Sequence, residues 1–259
     1  MANFALGPTG YGNSPYMCFS AFGGNALLIS PEKLIEEGYL ESSELGPAQS
    51  WLRDHVDYGA VLYYKFPLLK KSFQRFKARP YPKDFYEFCD LNAFWLEDYA
   101  LFMALKSVHE WRVWTDWDSG AARRDTDSLA RWRNKLSDRI QFQKYLEYIF
   151  FKQRVALKNY CHQNSVQIIG DIPIYVAHDS AEVWANRQLF YLDEQGEPFV
   201  VAGVPPDYFS ATGQRWGNPI YHWDFMAQSG YEWWINRFRA NYALVDIVRL
   251  DHFRGFEAY

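Results

Sequence analysis

Two strand-like segments that each carry an aspartate constrain the fold of this 259-residue chain more than any other feature. The first, VQIIGDIPIYV (166–176), is an apolar run typical of a buried strand, with Asp171 at its C-terminal end. A helical pattern follows at about 229–243, and the second strand ends at Asp251. Strands that alternate with helices favour a parallel sheet, in which functional groups gather at the carboxyl ends of the strands. The sequence therefore predicts an α/β fold with both aspartates at one edge of the sheet.

The second strand, within VRLDHFRGF (248–256), admits charges into an apolar run. Because side chains alternate between the faces of a strand, Arg249 and Asp251 share one face, and Val248 and Leu250 share the other. If the apolar pair packs under helices, both charges point inward. An arginine beside a carboxylate keeps it ionised and lowers its pKa, which is the state that a carboxylate nucleophile needs. A purely structural Arg–Asp pair at a strand end is the alternative.

Composition excludes several classes of protein. A net charge of −4 argues against a general nucleic-acid binder. Cys18, Cys89 and Cys161 lie far apart, which suggests neither a disulfide framework nor a metal site, and no cofactor is expected. The N-terminus has no signal-peptide pattern, and no apolar run approaches membrane-spanning length. We therefore expect a soluble cytoplasmic protein with no nucleic-acid or membrane partner.

Helical patterns dominate from about residue 48 to residue 160. Before them, SPEKLIEEG (30–38) predicts a short helix with Ser30 as its cap, Pro31 at the first helical position and a stop at Gly38. The longest pattern has one apolar stripe, formed by Phe142, Tyr145, Leu146, Ile149 and Phe150, which predicts a face in the core.

Aromatic residues make up 19% of the chain and are dense in residues 196–223, a segment also rich in Gly and Pro. This segment is predicted to be a long loop, and long loops in compact domains are usually functional or disordered. Exposed rings stack on flat apolar faces, including those of sugars, while their polar tips form hydrogen bonds. A sugar contact is therefore favoured over a core position for Trp216.

Four long blocks then reveal a resemblance: GPTGYGNSPY (7–16), GDIPIYVAHDSAEVW (170–184), GVPPDYFSATGQRWGNPIYHW (203–223) and VRLDHFRGF (248–256). In this order they resemble the 4-α-glucanotransferases known as amylomaltases or disproportionating enzymes. The resemblance implies a (β/α)8 TIM barrel with a large helical insertion, residues 31–137, between strands two and three. Residues 1–30 would be a barrel segment with a sugar-binding loop, and residues 138–259 a barrel segment with a lid loop and the nucleophile strand. The expected substrates are α-1,4-glucans and maltooligosaccharides.

The resemblance also implies roles for individual residues. Asp251 matches the family's nucleophile and Arg249 its supporting arginine, with His252 beside them. Matches to substrate-binding residues are Ser14, Tyr16, Asp171 near the donor sugar, and Tyr208, Phe209, Gln214 and Trp216 in the lid loop; Tyr11 matches a second glucan site. Some positions have plainer alternatives, because Asp171 is also suited to capping a helix, Tyr11 to loop packing and His252 to satisfying backbone groups.

The implied chemistry is retaining transfer, in which a carboxylate nucleophile forms a glycosyl intermediate that a sugar 4-hydroxyl then resolves. Here the sequence departs from the family pattern, because the acid/base glutamate and a third aspartate belong to strands beyond Tyr259. Glu257, in the same loop as Asp251, is a poor substitute. The beginning is also short, which predicts an internal fragment lacking the N-terminal start and the C-terminal half and inactive alone. A non-catalytic glucan-binding module and another α-amylase-clan hydrolase remain alternatives.

Overall fold

A computed structural model describes residues 6–46, 54–208 and 210–257. The helices are α1 (Pro31–Glu36), α2 (Tyr58–Lys77), α3 (Lys83–Leu91), α4 (Ala93–Lys106), α5 (Ser119–Ala122), α6 (Thr126–Lys135), α7 (Ser137–Gln163), α8 (Ala181–Ala185), α9 (Trp223–Gln228) and α10 (Glu232–Leu244). The strands are β1 (Ile169–Pro173), β2 (Val201–Val204), β3 (Gln214–Pro219) and β4 (Ile247–Asp251). Short 3-10 helices lie at Tyr11–Asn13, Ala26–Leu28, Ser42–Leu45, Trp114–Asp116, Arg187–Leu189 and Phe253–Phe256.

The predicted helix signals are confirmed where their determinants are local. The Ser30 hydroxyl accepts a hydrogen bond from the amide of Lys33 at 3.2 Å, and Pro31 begins α1. The chain turns away at Gly38, whose φ of 72° suits glycine. On the 27-residue α7, the predicted apolar stripe lies in the core, with Phe142 at its partly buried margin. Helices α3, α4 and α10 pack against α7, so this helix lies at the centre of the helical layer.

Strands β1 and β4 pair in parallel, which confirms the parallel arrangement predicted for the two aspartate-bearing segments. The register places Asp171 opposite Arg249 and Pro173 opposite Asp251. The predicted position of Asp171 at a strand end is wrong, because β1 continues to Pro173 and pairs with β4 over its whole length. Val248 and Leu250 pack against the core while the intervening side chains are exposed, so the predicted alternation is confirmed.

The segment 196–223 was predicted to be a structureless loop, and this is wrong, since β2 and β3 form an antiparallel hairpin within it. Glycine permits the close pairing, because a Cβ at Gly203 would lie 2.5 Å from the carbonyl oxygen of Gln214. In the connecting turn, the amide of Ser210 donates to the Asp207 carboxylate at 2.8 Å and Gly213 has a φ of 74°. The Gly and Pro residues that suggested a loop are therefore part of a β-hairpin.

One hydrophobic core extends from the helical layer to both strand pairs. Within the described ranges, the parallel sheet contains two strands and does not close into a barrel. No helix in this part of the chain is long and apolar enough to cross a membrane. The molecule is therefore a mixed α/β fold in which a helical layer supports β1, β4 and the hairpin.

Candidate active site

Arg249 joins two aspartates at the parallel strand pair. Its Nε and Nη2 donate to Oδ1 and Oδ2 of Asp171, each at 2.7 Å, in a bidentate pair. Its Nη2 lies 3.7 Å from Oδ1 of Asp251. The parallel register explains why Arg249 pairs more closely with Asp171 than with Asp251. Asp171 is its cross-strand neighbour, while Asp251 is two residues further along the same strand. The sequence predicted only the second of these contacts.

The exposure of these charges differs from the prediction that both point into a buried interior. The side chain of Arg249 is 59% exposed and that of Asp251 is 49% exposed, whereas that of Asp171 is 5% exposed. The buried charge is therefore the carboxylate on β1, and the β4 face with the other two is open in this chain. Hydrogen bonding and the charge of Asp171 raise the pKa of Arg249, so it remains a cation.

Tyr16 completes the polar array from the N-terminal segment. Its hydroxyl donates to Oδ2 of Asp171 at 2.9 Å. Burial and then the neighbouring carboxylate raise the pKa of Tyr16 above its ordinary value, so the phenol stays protonated and donates. The Ser14 hydroxyl accepts a hydrogen bond from the amide of Tyr16 at 3.3 Å, which fixes the turn that presents both residues. Asp171 does not cap a helix, so that alternative is wrong.

A cleft of about 360 Å³ lies beside this array. It is lined by Ser14, Tyr16, Met17, Pro173, Ile174, Tyr175, Trp216, Asn218, Asp251 and His252. The rings of Trp216 and His252 meet edge to face at 4.9 Å, and His252 turns toward Trp216 on a backbone with a φ of 57°. The structure thus brings together five predicted site residues from three distant segments of the chain.

The remaining predicted residues lie outside the cleft or outside the described residues. Tyr208 is fully exposed in the connection of the hairpin, and Gln214 on β3 accepts a hydrogen bond from Nε1 of Trp216 at 3.1 Å. Phe209 and the side chain of Tyr11 lie outside what the structure describes. The contacts that would make Tyr208 a lid or Tyr11 a second glucan site therefore stay predictions.

Sequence reasoning missed Arg237, which holds the floor of the cleft. This arginine on α10 is 2% exposed, and its Nη2 and Nη1 donate to the carbonyl oxygens of Pro173 at 2.6 Å and Ile174 at 3.1 Å. The hydroxyl of Tyr221 also donates to the Ile174 carbonyl, at 2.8 Å. An arginine that follows a pair of tryptophans and precedes a phenylalanine, in WWINRF, was the available signal. Its donors fix the backbone where β1 leaves the sheet and enters the cleft.

The chemistry of the site is that of carboxylates beside a fixed cation. Asp251 has a half-exposed carboxylate at the cleft, while both oxygens of Asp171 are occupied by Arg249 and Tyr16. Among the described residues, no group of three or more His, Cys, Asp or Glu side chains is placed to hold a metal ion. The arrangement suits a carboxylate that attacks an electrophile bound against Trp216.

The sequence is similar along almost its whole length to a family described as 4-alpha-glucanotransferase, whose profile matches residues 3–259. The 4-alpha-glucanotransferase of Synechocystis sp. is 48% identical over 258 residues, covering 98% of this chain and 51% of that protein. The Thermus thermophilus 4-alpha-glucanotransferase is also 48% identical, with the same coverage. Amylomaltase from Streptococcus agalactiae, solved in complex with acarbose, superposes with a TM-score of 0.93 at 38% identity, covering 98% of this chain and 52% of its own. The chain thus spans about half the length of the curated relatives it matches.

Proposed function

The chain belongs to the 4-alpha-glucanotransferase family, and from that membership we propose that it supplies the nucleophile and part of the sugar-binding cleft of an enzyme that transfers α-1,4-glucan segments between maltooligosaccharides. The observation that carries the proposal is the array in which Arg249 links buried Asp171 to half-exposed Asp251 at the cleft. A glucan-binding module would need the cleft but not this second carboxylate.

Asp251 is proposed as the nucleophile of a retaining double displacement. Its carboxylate attacks the anomeric carbon, the bond to the leaving chain breaks, and a covalent glycosyl ester forms. A 4-hydroxyl of an acceptor sugar then displaces the carboxylate and restores the α-linkage. Among the described residues that line the cleft, Asp251 is the one carboxylate. The acid that protonates the leaving oxygen is therefore proposed to come from another part of the enzyme.

Asp171 and Tyr16 are proposed to position the arginine, and Tyr16, which lines the cleft, is also proposed to contact the donor sugar. The direct contact of Asp171 with the donor sugar stays a prediction. Because Asp171 accepts hydrogen bonds from both Nε and Nη2 of Arg249, the guanidinium is held in one plane, with the same Nη2 3.7 Å from Oδ1 of Asp251. The attack requires the ionised form of the Asp251 carboxylate. Trp216 offers its ring as the apolar surface of the same cleft, with His252 braced against it.

The barrel and its lid are proposed on the same basis. Parallel pairing of β1 with β4, with Asp251 at the carboxyl end of β4, is compatible with one part of a (β/α)8 barrel. We assign these strands to an incomplete barrel, with residues 31–137 as the insertion between strands two and three. The β2–β3 hairpin, which carries Trp216 into the cleft and Tyr208 at its connection, is assigned as the lid that keeps water from the intermediate.

Trapping of the glycosyl intermediate tests the proposal. A maltosyl fluoride whose sugar is fluorinated to slow the second step needs no acid for departure, because fluoride leaves unprotonated. In the intact enzyme that carries this chain, we expect the glycosyl mass on the peptide containing Asp251, found by mass spectrometry. The Asp251→Asn variant should remain unlabelled. A label on another residue would reject the assigned nucleophile.

A further inference from the structure

Asn218 is a buried polar residue in the wall of the cleft. It lies on β3, two residues after Trp216, and 5% of its surface is exposed. Because the large majority of buried side-chain polar atoms have a hydrogen-bond partner, each end of this amide is expected to have one. The two ends differ in where their partners can come from.

The nitrogen of the amide is turned toward the protein. Nδ2 of Asn218 donates to the carbonyl oxygen of Val176 at 2.8 Å and lies 3.6 Å from Sδ of Met17, a weak acceptor. A carbonyl oxygen can only accept, so the contact with Val176 decides which end of the amide is the nitrogen. These two contacts use both N–H bonds, and they join β3 to the segment after β1 and to the N-terminal segment.

The oxygen of the same amide is left for the contents of the cleft. Among the described residues, no group donates a hydrogen bond to Oδ1 of Asn218, and the residue lines the cleft together with Trp216. An amide oxygen has two lone pairs that accept hydrogen bonds, and it donates none. This position therefore favours a ligand group that has a hydrogen to donate, and it disfavours a group that can only accept.

We propose that Asn218 is a specificity-determining residue, whose Oδ1 accepts a hydrogen bond from one hydroxyl of the glucan in the cleft. A sugar suits this wall, because its apolar face can lie against the Trp216 ring while a hydroxyl at its rim donates to the amide oxygen. A site built to bind a substrate hydroxyl rejects the analogue that lacks it, since a buried group of the protein is then left unpaired. This inference rests on the proposed function for the class of its ligand.

Calorimetric titration of the intact enzyme tests the contact, in the Asp251→Asn variant, which is expected to bind glucan without turnover. The probes are maltotriose and analogues of it in which one hydroxyl at a time is replaced by hydrogen or by fluorine. Each probe is measured with Asn218 in place and with Asn218→Ala. Asn186→Ala is the matched control, because the Asn186 amide also donates to a backbone carbonyl, that of Glu182 at 3.2 Å, but does not line the cleft.

With Asn218 in place, we expect one deoxy analogue to bind about tenfold more weakly than maltotriose. Its fluoro counterpart should bind at least as weakly, because fluorine cannot donate a hydrogen bond. Asn218→Ala should bind maltotriose about tenfold more weakly, and it should bind maltotriose and that deoxy analogue within about twofold of each other. Asn218→Ser, whose shorter side chain withdraws the acceptor, gives the same comparison if circular dichroism shows that the alanine variant is not folded.

A residue that only joins the three segments would give a different result, because its replacement would weaken every probe by the same factor. That result would overturn the proposal, and so would full affinity for every deoxy analogue or an equal loss of discrimination in Asn186→Ala. An enzyme that binds maltotriose without this dependence on Asn218 refutes the contact and leaves the glucan cleft in place. An enzyme that does not bind maltotriose refutes the glucan cleft and the contact with it.

Discussion

Replacement of Glu147 by glutamine should stabilise the protein at neutral pH and above, in a pH-dependent way. Glu147 lies on α7 with 1% of its surface exposed, and its carboxylate accepts the amide of Gly24 at 2.7 Å. Burial raises the pKa of Glu147 to about 8, against the smaller opposing effects of hydrogen bonds from Gly24 and Tyr99. Glutamine has the same shape, can accept the same amide and carries no charge to desolvate.

The direction of the pH dependence follows from the pKa of Glu147 in the folded and in the unfolded chain. In the unfolded chain its pKa is near 4.5, so the folded state binds the proton more tightly than the unfolded state does. The stability that wild-type Glu147 contributes in its protonated form is fully present below about pH 4.5 and is lost as the pH rises to about 8. At about 1.4 kcal/mol per pH unit, the 3.5 units between these two pKa values correspond to on the order of 5 kcal/mol.

Urea unfolding followed by tryptophan fluorescence at pH 5, 6, 7 and 8 measures the effect. Glu182, whose pKa burial raises to about 7, adds a pH dependence of its own. The informative quantity is therefore the difference in unfolding free energy between Glu147→Gln and wild type. Above pH 5, the unfolding free energy of Glu147→Gln should rise relative to that of wild type by about 1 kcal/mol per pH unit. Glu194→Gln, an exposed counterpart, should show no trend.

A difference that stays constant from pH 5 to pH 8 would show that Glu147 is already ionised in the folded protein, and it would refute the reasoning. A trend of equal size in Glu194→Gln would point to a general charge effect instead of burial.

Four further predictions concern the cleft. Asp251→Asn in the intact enzyme should lower maltotriose disproportionation by more than about a hundredfold, measured as glucose release with longer products, while glucan binding persists. Replacing Tyr208 and Phe209 by serine should raise hydrolysis relative to transfer, and an unchanged product ratio in a folded variant would exclude a water-excluding lid. Tyr16→Phe leaves an oxygen of buried Asp171 without its phenol and should lower the unfolding free energy by about 1 to 3 kcal/mol in urea titrations. Arg237→Met should lower it by about 3 kcal/mol or more and Arg237→Lys by less, and equal losses would argue against a role for the paired carbonyl contacts.

Local signals were sufficient where neighbours in sequence decide the structure. The cap formed by Ser30, the proline that begins α1 and the turn at Gly38 are contacts within a few residues, and all three were predicted. The apolar stripe on α7 and the alternation of β4 also follow from the geometry of a single element. Family resemblance then identified the cleft residues that the structure brings together.

Tertiary structure decided what depends on residues far apart in the chain. Asp171 and Arg249 are 78 residues apart, and only the parallel register shows that they form the bidentate pair, while Asp251 lies farther from the guanidinium. The hairpin within 196–223 was hidden because cross-strand pairing, not local composition, stabilises it. Arg237 was missed for the same reason, since its partners are carbonyl oxygens of the backbone and leave no trace in residue type. Sequence patterns report the preferences of single segments, whereas the partner of a charge depends on which segments folding brings together.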